Sequence, residues 1–157
     1  MTLQDAPDED RDVLRTVRIL GGKKILRRQV CTRLQAHDLI DEGLPGSVLD
    51  HLQKELLVLG AGWRLQKVFG VGLRTMQRHR ESPGRRLSAE QSGRTWKFAE
   101  ILGRAAELFG SQEEAEAWLE RPAMALDQRR PIDLLSTPAG VESVEELLTR
   151  LEYGVYT

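Results

Sequence analysis

The sequence predicts an all-α protein: an N-terminal part with a helix-turn-helix, then a C-terminal small helical domain. Three observations point there. No alternation of apolar and polar residues lasts beyond four or five positions, and aromatic residues make up only 5% of the chain, so strands have no signal. Apolar residues instead recur at helical spacing through most segments. Glycines, prolines and Ser/Thr caps fall at helix-length intervals.

Each element follows from this punctuation. Asp12 to Leu20 and Lys24 to Glu42 read as helices parted by Gly21-Gly22, with Gly43 as the stop. Pro45 suits the first turn of a helix over residues 46–57, where Val48, Leu49, Leu52, Leu56 and Leu59 keep one stripe. Trp63–Phe69 and Leu73–Glu81 are short helices around Gly70-Val71-Gly72, and Ser82-Pro83-Gly84 is a loop. Ser88 with Gln91 forms a capping box for a helix reaching Phe109, and Gly110 stops it. Ser111 with Glu114 opens the next, through Leu119. Ala123 to Arg130 is a loop, and Pro131 to Leu135 one turn. Thr137-Pro138 starts the last helix, which runs to Glu152 with Gly154 as its left-handed cap. The expected divisions are residues 1–34 as an N-terminal arm, 35–87 as the helix-turn-helix domain and 88–157 as the C-terminal domain. The arm's acid-then-base pattern suits a mobile segment.

Length and charge narrow the function. A chain of 157 residues holds one compact domain or two small ones. No apolar run reaches membrane-spanning length, residues 1–10 are no secretory signal, and one cysteine gives no internal disulfide, so the cytoplasm is the expected compartment. The net charge of −1 hides segregation: residues 11–33 and 61–97 each carry +7, and residues 98–157 carry −7. A basic block of that size is steered toward polyanions, so the near-zero total does not argue against DNA.

Two surfaces are candidates for binding. In the short helix pair, Leu65, Phe69, Val71 and Met76 can lock the helices together. The second helix then shows Arg74, Gln77, Arg78 and Arg80, types that read base edges, and Arg85 and Arg86 follow as phosphate contacts. Gln66 and His79 depart from the small and apolar residues such motifs usually carry. At the other end, Glu-Tyr-Gly-Val-Tyr-Thr closes the chain; tyrosines at a terminus suit an interface, but the residues alone slightly favour Tyr153 and Tyr156 folding back on their own domain. No catalytic or cofactor constellation is read: His37, His51 and His79 lack metal-ligand spacing with Cys31, which reads as a packed helix residue. Trp63, Trp96 and Trp118 read as core.

Residues 88–157 resemble the C-terminal toxin-binding domain of the MbcA/ParS/Xre antitoxin family. The resemblance rests on Phe109-Gly110, on Trp118-Leu119, and on the run from Arg130 to Leu135 with Thr137 and Gly140. Val144, Leu147 and Leu148 and the terminal Tyr153-Gly154-Val155-Tyr156 complete it. Around Leu126 the family often carries an Asn and a Gly, where this chain has Ala123 and Asp127-Gln128. Residues 35–87 are similar to the Xre-type helix-turn-helix half. The resemblance implies an antitoxin of a type II toxin–antitoxin pair whose partner is a RES-domain toxin, an NAD-consuming protein of ADP-ribosyltransferase-like fold. It implies that Glu152, Tyr153, Gly154, Val155, Tyr156 and Thr157 cover the NAD pocket, with Arg129 and Arg130 supporting the interface. The N-terminal half would bind the operon's own promoter as a homodimer. The rival reading is a helix-turn-helix repressor whose C-terminal half only dimerises.

Overall fold

The computed structural model describes residues 8–59, 63–82 and 84–154. Among them it contains nine α-helices and no strand. These are α1 (Asp8–Ile19), α2 (Gly22–Leu26), α3 (Arg33–Glu42), α4 (Ser47–Glu55), α5 (Trp63–Phe69), α6 (Leu73–Glu81), α7 (Ala89–Phe109), α8 (Gln112–Leu119) and α9 (Pro138–Glu152). Two short 3-10 turns, Met124–Leu126 and Pro131–Leu134, join α8 to α9. No described helix is long and apolar enough to cross a membrane.

The organising element is α7. Ser88 accepts from the Gln91 amide while the Gln91 side chain bonds back, and Gly110 ends the helix at φ 97°. That reciprocal pair satisfies two of the amides a helix start leaves open. The helix presents apolar residues on several sides, so it packs against α1, α3, α5, α8 and α9. Phe98, Ile101, Leu102 and Ala105 are buried, and Phe98 meets Phe69 edge-to-face at 5.3 Å. Burying one such ring contributes about 1.5–3 kcal/mol, and the edge-to-face contact about 1 kcal/mol more. One apolar cluster runs from Val13 to Leu148 without a break at residue 87.

The segment expected as an arm contributes two helices to this cluster, through Val13, Leu20, Leu26 and Val30; residues 1–7 lie outside the described part. The single helix expected from Lys24 to Glu42 is divided. Arg27 sits in the left-handed region at φ 60° and closes α2. Thr32 and Gln35 then form a full capping box that opens α3. A Thr-x-x-Gln start signal therefore outweighs the helical spacing around it. Cys31 accordingly lies in the connection, half-buried, with its amide donating to Gln35 Oε1 at 2.8 Å. Trp96 is buried and Trp118 stacks on Phe109, as core residues; the Trp63 side chain lies outside the described part.

Candidate functional site

The helix pair is built around Gly70, at φ 67°, and the Val71 amide donates to the Gln66 carbonyl at 3.0 Å to close the turn. Leu65, Phe69, Val71 and Met76 are all buried, as their spacing requires. Each helix, however, is held chiefly by a different neighbour: α5 by α7 and α6 by α4. Gln53 reaches Met76 Sδ at 3.9 Å and accepts from Arg80 at 2.6 Å, which fixes α6 along α4. His79, the residue out of pattern in the sequence, is 4% exposed. It occupies the space above Gly46, where a Cβ would lie 2.1 Å from His79 Nδ1 and 2.8 Å from the Arg85 carbonyl oxygen. A glycine at the N-cap of α4 thus makes room for an imidazole in α6. Burial lowers the His79 pKa, opposed by the neighbouring Arg85 backbone, which raises it.

The six cations and amides expected on this face divide into two groups. Arg74, Gln77 and Arg78 are exposed on α6 at helical neighbour spacing, and Gln77 donates to Glu81 at 3.2 Å. Arg85 is exposed in the loop. Arg80 turns toward α4, to Gln53 and to Asp50 at 3.6 Å, and Arg86 donates to the Gly43 carbonyl at 2.6 Å. The last two hold the protein together as much as they face outward.

At the C-terminal end, Thr137 Oγ1 accepts from the Gly140 amide at 3.1 Å and Pro138 supplies the pre-set first turn of α9. Val144, Leu147 and Leu148 form its buried face. The Tyr153 amide donates to Thr149, and Gly154, at φ 73°, donates to Leu151. Glu152 is gripped by Arg104, whose Nε and Nη2 donate to its two carboxylate oxygens at 3.2 Å each, while Nη2 also reaches Thr149 Oγ1. Such a two-pronged pair fixes geometry as well as charge. A cleft of about 410 Å³ opens beside it, lined by Arg11, Asp12, Arg15, Arg104, Glu107 and Glu152. Arg15 pairs with Asp12 and Glu107 there; its pKa is lowered by burial, opposed by the Glu152 charge. Tyr153 leaves this anchored point 81% exposed. It does not fold back on its own domain. Val155, Tyr156 and Thr157 lie outside the described residues.

Arg129 is exposed, and its carbonyl accepts from the Ala123 amide at 3.1 Å to close a loop around the first 3-10 turn. Arg130 donates to Asp133 at 2.8 Å. Within that loop Asp127 and Gln128 hold φ 54° and 61°. Asp127 and Gln128 thus hold a conformation that favours Asn or Gly, while Ala123, at φ −113°, is extended.

Sequence reasoning missed one group. Glu116, in α8, is fully buried, and its carboxylate accepts from the amides of Leu57, Val58 and Leu59. The signal was present: Gln112, Ala115, Glu116 and Leu119 share one helical face, and an acid on that face calls for buried donors.

Taken together, the described residues form an all-α protein that carries a cationic short helix, α6, and a last helix, α9, clamped at Glu152 and ending on an exposed tyrosine. Residues 104–154 match the model of the antitoxin Xre/MbcA/ParS C-terminal toxin-binding domain. A protein named antitoxin Xre from Yersinia enterocolitica is 31% identical over 121 residues, covering 76% of this chain and 80% of that protein. One of the same name from Photorhabdus laumondii is 29% identical over 118 residues, covering 74% and 78%. A third, from Pseudomonas putida, is 30% identical over 86 residues, covering 54% and 52%. The chain belongs to the Xre/MbcA/ParS antitoxin family, and its role is that of an antitoxin in a toxin–antitoxin pair.

Proposed function

We propose that the chain neutralises a RES-domain, NAD-consuming toxin in the cytoplasm by laying its C-terminal end over the toxin's NAD pocket. As a homodimer it also represses its own operon through α5 and α6. The observation that carries the first part is Tyr153: an aromatic side chain held outward directly after a residue clamped by Arg104. A tail anchored at Glu152 enters a pocket with less ordering cost than a free one. Arg129 and Arg130 support the same interface from the loop ahead of α9. The −7 charge of residues 98–157 complements a pocket built to hold a pyrophosphate. Neutralisation by exclusion needs no catalytic group in this chain. Arg74, Gln77 and Arg78 carry base reading, with Arg80, Arg85 and Arg86 beside the phosphates.

The test is truncation. A chain ending at Glu152 should lose neutralisation of the toxin encoded beside it while holding promoter binding. Loss of one Tyr anchor is worth about 2 kcal/mol, some thirtyfold in affinity. Full neutralisation by the truncated chain would reject the plug.

A further inference from the structure

We propose that Glu116 is a positioning residue that sets where the helix-turn-helix stands on the toxin-binding half. Three consecutive amides converge on its carboxylate: Leu57 at 2.9 and 3.0 Å, Val58 at 2.9 Å and Leu59 at 3.0 Å. Gln112, one turn earlier on α8, donates to Glu116 Oε2 at 2.9 Å and to the Glu55 carbonyl at 3.0 Å. A fully buried carboxylate is costly unless its lone pairs are filled, and here protein donors fill them.

The location gives this clasp its consequence. Residues 57–59 leave the C-terminal end of α4 and lead toward α5. The N-terminal end of α4 is held by a second clasp, the buried bond from the Leu44 amide to Ser92 Oγ on α7, at 2.8 Å. Thus the segments on either side of α4 are tied to α7 and α8, both C-terminal to residue 87, while the helix itself packs on α2 and α6. The cationic helix α6 is carried on α4, through Gln53, Asp50 and the Gly46–His79 fit. Releasing Glu116 frees one end of the support on which α6 rides. A change at α8, inside the matched toxin-binding region, then moves the helix that would face DNA.

The inference rests on the helix-turn-helix reading only for the meaning of that movement, and its test needs no DNA. Spin labels are placed at Arg78→Cys on α6 and Glu146→Cys on α9, in a Cys31→Ser chain. Glu116→Gln, which removes the charge and sets an amide NH₂ against Gln112 Nε2 and the Leu57 amide at the Oε2 position, should broaden the narrow distance distribution of the parent. Amide exchange at Leu57, Val58 and Leu59 should rise at least about tenfold, because their bonds lose the assistance of the carboxylate charge, while Leu147 and Leu148 stay protected. Gln112→Leu should do the same to a smaller extent, and decides the matter if Glu116→Gln does not fold. An unchanged distance distribution, or unchanged exchange at 57–59, overturns the proposal. Failure of the parent chain to bind its promoter would instead overturn the helix-turn-helix reading and leave the clasp standing.

Discussion

Gly140 makes the sharpest energetic prediction. It lies in the first turn of α9, and a Cβ built there would stand 1.9 Å from the Leu134 carbonyl oxygen, 2.8 Å from its carbon and 3.1 Å from its Cα. All three are backbone atoms of the 3-10 turn Pro131–Leu134, so no side chain can swing aside. Relief requires that turn to move off α9 by more than 1 Å, judged against an ordinary contact of about 3.4 Å or more. Such a shift disturbs the packing of the turn on α9, in the cluster that buries Ile132, Leu135 and Val144. Overpacking of this kind costs about 1–3 kcal/mol, and an unyielding backbone places Gly140→Ala at the upper end. Alanine also gains about 1 kcal/mol of helix propensity over glycine, so the net expectation is a loss of about 2 kcal/mol. Gly93 in α7 is the control. Its nearest neighbour would be Ile40 Cγ2 at 3.9 Å, ordinary contact, so Gly93→Ala should stabilise by about 1 kcal/mol. Urea unfolding of both variants against the parent reads the difference. A Gly140→Ala chain as stable as the Gly93→Ala chain would refute the steric reasoning.

Gln128→Gly should stabilise by about 1 kcal/mol, because it relieves a left-handed residue at φ 61° while keeping the Gln128 amide bond to Ala123; a lower unfolding midpoint would contradict this. His79 gives a pH signature. Its folded pKa is lowered by burial from the ordinary 6.5, so below that pH the unfolded chain takes up a proton the folded chain refuses. Stability should fall as pH drops from about 6.5 toward the folded value, by at most about 1.4 kcal/mol per pH unit for one proton. Comparing the slope of unfolding free energy with that of His79→Gln checks the assignment, and identical slopes would remove it. Arg74→Ala and Arg78→Ala should each weaken binding to the operon's promoter and reduce its salt dependence, with toxin binding unchanged; unaltered promoter affinity in both would remove α6 as the reader.

Much of this architecture was legible in the sequence because local chemistry dictated it. Ser88, Ser111 and Thr137 each cap the helix their position announces, and Gly110 and Gly154 take the left-handed conformation expected of them. The Thr32–Gln35 box was equally local, but the apolar spacing from Ile25 to Ile40 masked it. What stayed hidden was long-range. Leu65, Phe69 and Met76 read correctly as buried, yet periodicity carries no information on which partner buries them, and α5 and α6 turned out to rest on α7 and α4. The same limit applies to Arg80 and Arg86, whose cations are partly taken up by Gln53, Asp50 and the Gly43 carbonyl. Glu116 sits 57 to 59 residues from the amides it holds, a pairing only the fold creates. His79 makes the opposite point: an apparent defect in the helix-turn-helix pattern is matched by Gly46, thirty-three positions earlier.

On the proposed function, the end of this chain occupies the toxin's NAD pocket. Titration calorimetry of NAD into the toxin, alone and in complex with the full-length chain, tests it most directly. NAD should bind the free toxin, fail to bind the complex, and bind again when the chain ends at Glu152. NAD binding of equal affinity to the free toxin and to the full-length complex would contradict it.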